Sequence, residues 1–255
     1  MSEKKKINLT LICLYNNPYI FENQLLDSLK RQSVEVELIA HKNMNGQVDC
    51  FPSAAKGYNE LVRKSKGDHF LFVHQDIIFK SDDSLEKLYN YMLKYPMAVI
   101  GVAGTLIGDK TVYSSVVEEG ISERMKSIMQ PMKVDVLDEC CFGMSKELYE
   151  RIRFDEETCS GWHFYAVDFC YSAAIRNYEI YVVPAELIHT SGGNIQHDFF
   201  VRLKPLRKKH HKNFPVIRSC CIEVYRFVPN IFYEIKYLKR TYLMKCLDKI
   251  GVKLK

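Results

Sequence analysis

Gly67-Asp68-His69-Phe70-Leu71-Phe72-Val73-His74-Gln75-Asp76 is the stretch on which the fold turns. Phe70 to Val73 is an apolar run too short for a helix, and it leads straight into a tripeptide in which two metal-ligating residue types flank a glutamine. A run of this length, bounded by Gly-Asp, reads as a strand over 69–73 buried on both faces. Strands of that kind belong to sheets whose ligands collect beyond the carboxyl ends. A loop breaks strict strand alternation, so the His74 imidazole and the Asp76 carboxylate can point toward one ion. Manganese suits such a pair, and magnesium, which prefers an all-oxygen shell, suits it less. The tripeptide alone leaves a second reading open, in which His74 closes the strand and Asp76 starts a turn.

Working outward, Ile7 to Tyr15 reads as a buried strand closed by Asn16-Asn17-Pro18. Ile20, Phe21, Leu25, Leu26 and Leu29 recur at helical spacing between Tyr19 and Gln32. Val34 to Ala40 is a second strand, and Ser53 caps a helix expected to end near Lys66-Gly67. Beyond the tripeptide, Ser81 is the expected cap of a helix running to Tyr95, and Ala98 to Ala103 the next strand. This alternation is the grammar of a mainly parallel sheet covered by helices on both faces. It predicts one crevice that gathers Tyr15, Asn16, Asn17 and Asn43 with the tripeptide. After Gly104 the grammar changes: strands are expected over 111–117, 132–137 and 180–183, and helices over 146–153 and 163–177.

The chain has 255 residues, 47% hydrophobic and 26% charged, which suits one sizeable domain and excludes a disordered chain. Its net charge of +5 concentrates at Lys4 to Lys6, between Arg202 and Lys212, and between Lys236 and Lys255. Such ends fit contact with an anionic partner or simple solubility. No reading motif accompanies them, so no nucleic acid is expected. Val224, Phe227, Val228, Ile231, Phe232, Ile235, Leu238, Tyr242 and Leu243 are interleaved with Arg226, Lys236, Lys239, Arg240 and Lys245. That pattern suits a basic helix lying on an anionic membrane surface, or one packed on the core, with Pro229 splitting it. Nine cysteines without a Cys-x-x-Cys spacing argue against a zinc ribbon. With no secretory signal and no apolar run of ~18 residues, the expectation is a cytoplasmic protein with free thiols.

Other residues invite chemistry. Asp168 sits in Trp162-His163-Phe164-Tyr165-Ala166-Val167-Asp168-Phe169, either paired in the core or poised in a cleft as a base. His189 precedes Thr190-Ser191-Gly192-Gly193, where it can complete a metal shell, touch a phosphate or lie on the surface. Trp162 can stack on a sugar or pack in the core, and the Asp138-Glu139 pair can bind hydroxyls or be solvated.

In order, these pieces resemble the family-2-type glycosyltransferases of the GT-A (Rossmann-like) fold. The resemblance rests on Ala55-Lys56-Gly57-Tyr58-Asn59 leading to Gly67 and the strand; on Phe154-Asp155-Glu156 followed by Gly161 to Tyr165 and Asp168; on Tyr181-Val182-Val183-Pro184; and on His189. It covers roughly residues 7 to 195. More narrowly, the chain resembles a branch similar to a streptomycin-biosynthesis protein, in which His-Gln-Asp stands in place of Asp-X-Asp. Two departures stand out: His74 replaces the first metal-site Asp, and Val167 the Glu of a Glu-Asp pair.

The resemblance implies a catalytic domain over 1–195 and a basic, aromatic helical extension over 196–255. It implies a nucleoside-diphosphate sugar as donor and a saccharide or lipid-linked hydroxyl as acceptor. His74, Asp76 and His189 would hold a divalent metal, Mn or Mg, and Asp168 would be the base of an inverting transfer. Tyr15, Asn16, Asn17, Asn43, Asn59 and Gln75 would bind the donor, and Trp162, His163 and Asp138 the acceptor. A nucleotide-sugar-binding protein without turnover is the alternative. A nucleotidyltransferase would need a Gly-rich basic loop where Leu14 to Asn17 stand. The catalytic reading requires residues 74, 76 and 168 to line one pocket.

Overall fold

Along β1 (Lys5–Tyr15) the side chains divide two cores between them. Ile7, Leu9, Leu11 and Cys13 enter one apolar cluster and Ile12 enters the other, so the strand is buried on both faces. The computed structural model describes residues 4–44, 46–116, 124–191 and 195–237. In it β1 is followed by α1 (Pro18–Ile20) and α2 (Asp27–Lys30), joined by a π-helical stretch over Phe21–Leu26. Then come β2 (Val34–Lys42), α3 (Ala54–Val62), β3 (His69–Val73), β4 (Ile77–Phe79), α4 (Ser84–Lys94), β5 (Ala98–Gly101), β6 (Ala103–Thr105), β7 (Val112–Ser114) and β8 (Met125–Ser127). The chain continues through β9 (Met132–Lys133), β10 (Val136–Leu137), β11 (Cys141–Ser145), α5 (Lys146–Ile152), α6 (Tyr165–Ile175), β12 (Glu179–Val182), β13 (Leu187–His189), α7 (His197–His210), β14 (Val216–Arg218) and β15 (Glu223–Tyr225).

The main sheet runs β2-β1-β3-β11-β5-β12-β9. β1 is parallel to β2 and β3, and β5 to β12, whereas β11 and β9 run against their neighbours. The sheet is therefore mixed and mainly parallel. Its period-2 pattern repeats on every central strand: Phe70, Phe72, Val99 and Phe142 face one cluster, and Leu71, Val73, Ile100 and Cys141 the other. Helices α3, α5, α6 and α7 cover the first face, while α4 and the helical stretch after β1 cover the second. Local signals start the helices. The Asn17 side-chain Oδ1 accepts from the Ile20 N–H at 3.2 Å, and the Ser53 and Ser145 hydroxyls accept from the Lys56 and Leu148 N–H groups, each at 3.2 Å.

Four expectations are corrected. β11 was not anticipated: it enters antiparallel between β3 and β5, with Gly143 opposite Leu71. A Cβ at Gly143 would lie 2.3 Å from the Phe70 carbonyl oxygen and 2.5 Å from Met92 Cε, so only glycine fits this crossing. The expected strand over 98–103 splits, β5 staying in the main sheet and β6 joining the second sheet, β10-β6-β7-β8. Ser81 does not cap α4, which starts at Ser84; the Ser84 hydroxyl accepts from the Ser81 N–H at 3.1 Å and donates to the Glu186 carbonyl at 3.0 Å. Val224 belongs to β15, and the helix expected from there begins only after Pro229, at 230–237. Residues 238–255, which carry Leu238, Lys239, Arg240, Tyr242, Leu243 and Lys245, lie outside the described residues.

Phe199, Phe200, Leu203 and Leu206 of α7 share the cluster that holds α6 and the main sheet, so residues on both sides of 195 build one core. Among the described residues, no helix is long and apolar enough to cross a membrane.

Candidate active site at the carboxyl edge of the sheet

Because β1, β2 and β3 run parallel, the loops leaving Tyr15, Lys42 and Val73 emerge at one edge. They enclose an open cavity of about 790 Å³, lined by Tyr15, Asn16, Asn17, Asn43, His74, Gln75, Asp76 and Trp162, together with Leu14, Met44, Ala54, Tyr58, Tyr165 and Ser191. The sequence named the first eight of these. Tyr58 and Tyr165 lay inside motifs it singled out, but nothing there said which way they point.

Gln75 joins the two halves of the edge. Its Oε1 accepts from the backbone N–H groups of Asn16 (3.1 Å) and Asn17 (2.9 Å), and its Nε2 donates to Asn16 Oδ1 at 2.8 Å. Asn43 fixes the third loop. Its N–H donates to the Tyr15 carbonyl at 2.7 Å, and its Oδ1 accepts from the Phe51 N–H at 2.6 Å. The Tyr15 ring stacks on Phe21 at 4.1 Å.

His74, Asp76 and His189 offer ligand atoms that all lie within 4.8 Å of one another. The short antiparallel pair β4–β13 delivers the third residue, setting His189 opposite Ile77, while the Thr190 N–H donates to the Asp76 carbonyl at 3.1 Å. His189 Nε2 is 3.5 Å from Asp76 Oδ1. His74 Nε2 meets the Tyr165 hydroxyl at 2.9 Å, and its backbone N–H donates to the Cys140 carbonyl at 2.9 Å. Burial alone would raise the Asp76 carboxyl, but hydrogen bonds from His189 and Ser191 and the nearby imidazoles outweigh it and hold Asp76 below the usual carboxylate range. Burial also lowers His74, which favours the neutral imidazole a metal requires, against the opposing pull of Asp76. Two imidazoles and one ionised carboxylate form a donor set that fits Mn²⁺.

Tyr165 opens α6, and the residue before it, Phe164, is in the left-handed region at φ 70°. That conformation costs a non-glycine residue ~1–2 kcal/mol. The Phe164 ring, packed 4.5 Å from Phe199, helps hold it there. This turn aims Tyr165 at the cavity.

Asp168 does not line the cavity, which corrects its expected role as base. It is buried, 2% exposed, in an interior ion pair. Lys209 Nζ donates to its Oδ2 at 2.9 Å and lies 2.8 Å from its Oδ1, and His210 Nε2 lies 2.7 Å from Oδ1. Lys209 also reaches Asp155 Oδ2 at 2.9 Å. Burial would raise Asp155, but hydrogen bonds from Thr158 and Lys209 bring it down to about 2. The network locks α7 onto α6, and no nearby sequence signal announces partners some forty residues downstream.

Asn59 is also elsewhere: it donates to the Phe154 carbonyl (3.0 Å) and Glu156 (2.8 Å) and accepts from the Tyr149 hydroxyl, so it ties α3 to α5 and the turn after it. His163 is off the cavity wall, its ring 5.3 Å from Phe199, and burial lowers its pKa. Asp138 is half-buried on the segment before β11. β11 runs antiparallel to β3 with Cys141 opposite Val73, so the residues preceding it pass beside His74 to Asp76. Asp138 Oδ1 accepts from the Cys140 N–H at 3.0 Å, and its charge acts on His74.

The model of a family described as "Glycosyltransferase like family" matches residues 10–214. No curated protein sequence matches. Among solved structures, the chain is similar to the mannosyltransferase PcManGT of Pyrobaculum calidifontis in complex with GDP-Man and Mn²⁺, with 12% identity and a TM-score of 0.53, over 81% of this chain and 65% of that one. It is similar to GalNAc-T7 with UDP, GalNAc and Mn²⁺, with 9% identity and a TM-score of 0.58, over 79% of this chain and 47% of that one. TarS (residues 1–349) of S. aureus in complex with UDP-GlcNAc has 12% identity and a TM-score of 0.52, over 79% of this chain and 66% of that one. The chain thus spans between about half and two thirds of the length of these proteins. At these identities the likeness is one of fold, and the fold is GT-A.

Proposed function

Because this chain belongs to the glycosyltransferase-like family matched over residues 10–214, we propose that it moves a sugar from a nucleoside-diphosphate donor to a hydroxyl of a saccharide or lipid-linked acceptor. The observation that carries the reading is the His74–Asp76–His189 cluster, of which His74 and Asp76 line an open cavity at the carboxyl edge of parallel strands. The GDP-Man, UDP and Mn²⁺ held by proteins of the same fold support this donor chemistry. The His74-Gln75-Asp76 tripeptide supports, within the family, a reading of the chain as akin to the branch similar to a streptomycin-biosynthesis protein. Eight cysteines among the described residues are free, which supports a reducing, cytoplasmic setting.

A divalent ion held by His74, Asp76 and His189, manganese before magnesium, would supply the positive charge that stabilises a departing diphosphate. The chain's own residues do the rest. Gln75 couples the Asn16–Asn17 loop to the metal ligands, so nucleoside and diphosphate are gripped by parts that move as one. Trp162, 42% exposed on the cavity wall, offers an indole face to a sugar ring. Asp168, committed to Lys209 and His210, fails the requirement that it line the pocket, so the transferase reading needs another carboxylate. We assign the base to Asp138, half-buried behind the cavity wall with its charge acting on His74. Its carboxylate takes the acceptor's hydroxyl proton as the new C–O bond forms, and the sugar–phosphate bond breaks with its electron pair leaving on the diphosphate. Attack opposite the leaving group inverts the anomeric centre.

Asp138→Asn tests the assignment. Transfer should disappear while Mn²⁺ affinity, donor affinity and Tm persist; loss of donor binding equal to the loss of turnover would sink it. One observation favours a second reading, donor binding without turnover: among the described residues, Asp76 is the only carboxylate on the cavity wall. A panel of nucleotide sugars with Mn²⁺ separates the two. Thermal stabilisation by a donor that never releases nucleoside diphosphate would establish the second.

A further inference from the structure

We propose that the edge formed by α7 and residues 225–236, separate from the cavity above, is a docking surface for an anionic lipid bilayer. Lys204, Arg207, Lys208, His211 and Lys212 follow one another at helical spacing along one face of α7 and its continuation. With Arg226 and Asn230 they line an open cavity of about 510 Å³, and among the described residues no carboxylate lines it. Lys204, Lys208, Lys212 and Arg226 are exposed. The opposite face of α7 carries Phe199, Phe200, Leu203 and Leu206, all buried in the main core, so the cations are held on a rigid element.

Beside this cavity the chain exposes large apolar side chains that a water-facing surface does not favour: Phe227 is 89% exposed, Phe232 60%, Ile231 52% and Ile235 43%. Arg207 fixes their position relative to the cations. Its guanidinium donates to the carbonyls of Tyr225 (2.9 Å), Arg226 (3.2 Å) and Val228 (2.7 Å) and to Asn230 Oδ1, so the segment is clamped to α7. The acidic side chains nearby are engaged: Glu223 accepts from the Gly108 N–H and the Tyr225 hydroxyl, and Glu234 pairs with His197.

A bilayer with anionic headgroups meets both halves of this surface at once. Phosphates neutralise the cationic cavity while Phe227, Ile231, Phe232 and Ile235 enter the headgroup–acyl boundary. A soluble polyanion meets only the first half.

The full chain is sedimented with vesicles of phosphatidylcholine, with and without phosphatidylglycerol, over a range of salt. Binding is expected only with phosphatidylglycerol and weakens as salt rises. Substituting Lys204, Lys208 and Lys212 by Gln lowers partitioning roughly fivefold per lysine. Phe227→Ser with Phe232→Ser lowers it about tenfold or more at unchanged charge. All five side chains are partly or fully exposed, and an unchanged Tm certifies each variant as folded. Equal binding to neutral vesicles, no binding at all, or binding indifferent to either set of substitutions overturns the proposal. So does capture of a single-stranded oligonucleotide by a chain that leaves anionic vesicles untouched. None of these outcomes bears on the transferase reading, whose residues lie on the other cavity.

Discussion

Replacing Asp168 by Asn separates an interior anchor from a proton acceptor. The side chain is 2% exposed and His210 is fully buried, while Lys209 keeps about a third of its surface in water. Removing one partner of a buried ion pair costs ~3–5 kcal/mol, because the other charge stays behind without compensation. Here Lys209 retains Asp155 at 2.9 Å, and the amide still offers His210 an acceptor, so the lower end applies, about 3 kcal/mol. For a chain of this size each kcal/mol moves Tm by ~2–4 °C, which gives a fall of about 6–12 °C. Thermal melting and urea denaturation read the loss, and donor binding and turnover are measured per folded molecule well below the new Tm. The folded fraction should bind donor and turn over much as the parent does. Asp168→Asn that abolishes transfer with Tm within ~1 °C of the parent would refute the argument and restore Asp168 as the base.

Asp76→Asn or His189→Ala should weaken Mn²⁺ binding, read by calorimetry or by the Mn²⁺ resonance, by at least the roughly 10–100-fold that losing an outer-shell partner costs; unchanged affinity would dissolve the proposed metal site. Gln75→Ala removes the acceptor shared by the Asn16 and Asn17 N–H groups; donor KM should rise about fivefold or more, ~1 kcal/mol, with little change in Tm, and an unchanged KM would show that the link does not serve the donor. Gly143→Ala drives a methyl against the Phe70 carbonyl and Met92 and should cost ~1–3 kcal/mol in urea denaturation; a neutral result would mean that β11 shifts freely. Burial lowers His69, His163 and His211, each opposed by local partners. Their folded pKa values lie below the unfolded value of 6.5, so the unfolded chain binds more protons as pH falls. Stability from these groups is complete above that value and declines below it, and Tm measured from pH 7.5 to 5 should drop; a flat profile would count against their burial.

The sequence alone determined the strands that are buried on both faces and the loops that follow them. A run such as Phe70 to Val73 has no polar face to offer, so it can only be an interior strand, and parallel neighbours then carry Asn16, Asn43 and Asp76 to one edge. The tripeptide was legible as a candidate metal site, beside the reading of His74 as a strand end and Asp76 as a turn, because the two ligand types are near in sequence and a strand end can aim them together. Where partners lie far apart along the chain, local pattern held no information. Asp168 read equally well as a base or a buried ion, and only the arrival of Lys209 and His210 from α7 decided it. β11 went unread because what makes it a strand is its antiparallel pairing with β3 and β5, which come from elsewhere in the chain. His189 joined Asp76 only through the pairing of β4 with β13. Short-range periodicity and steric preference fix elements, whereas which charges meet in the interior is settled by packing, since desolvation penalises every arrangement in which they do not.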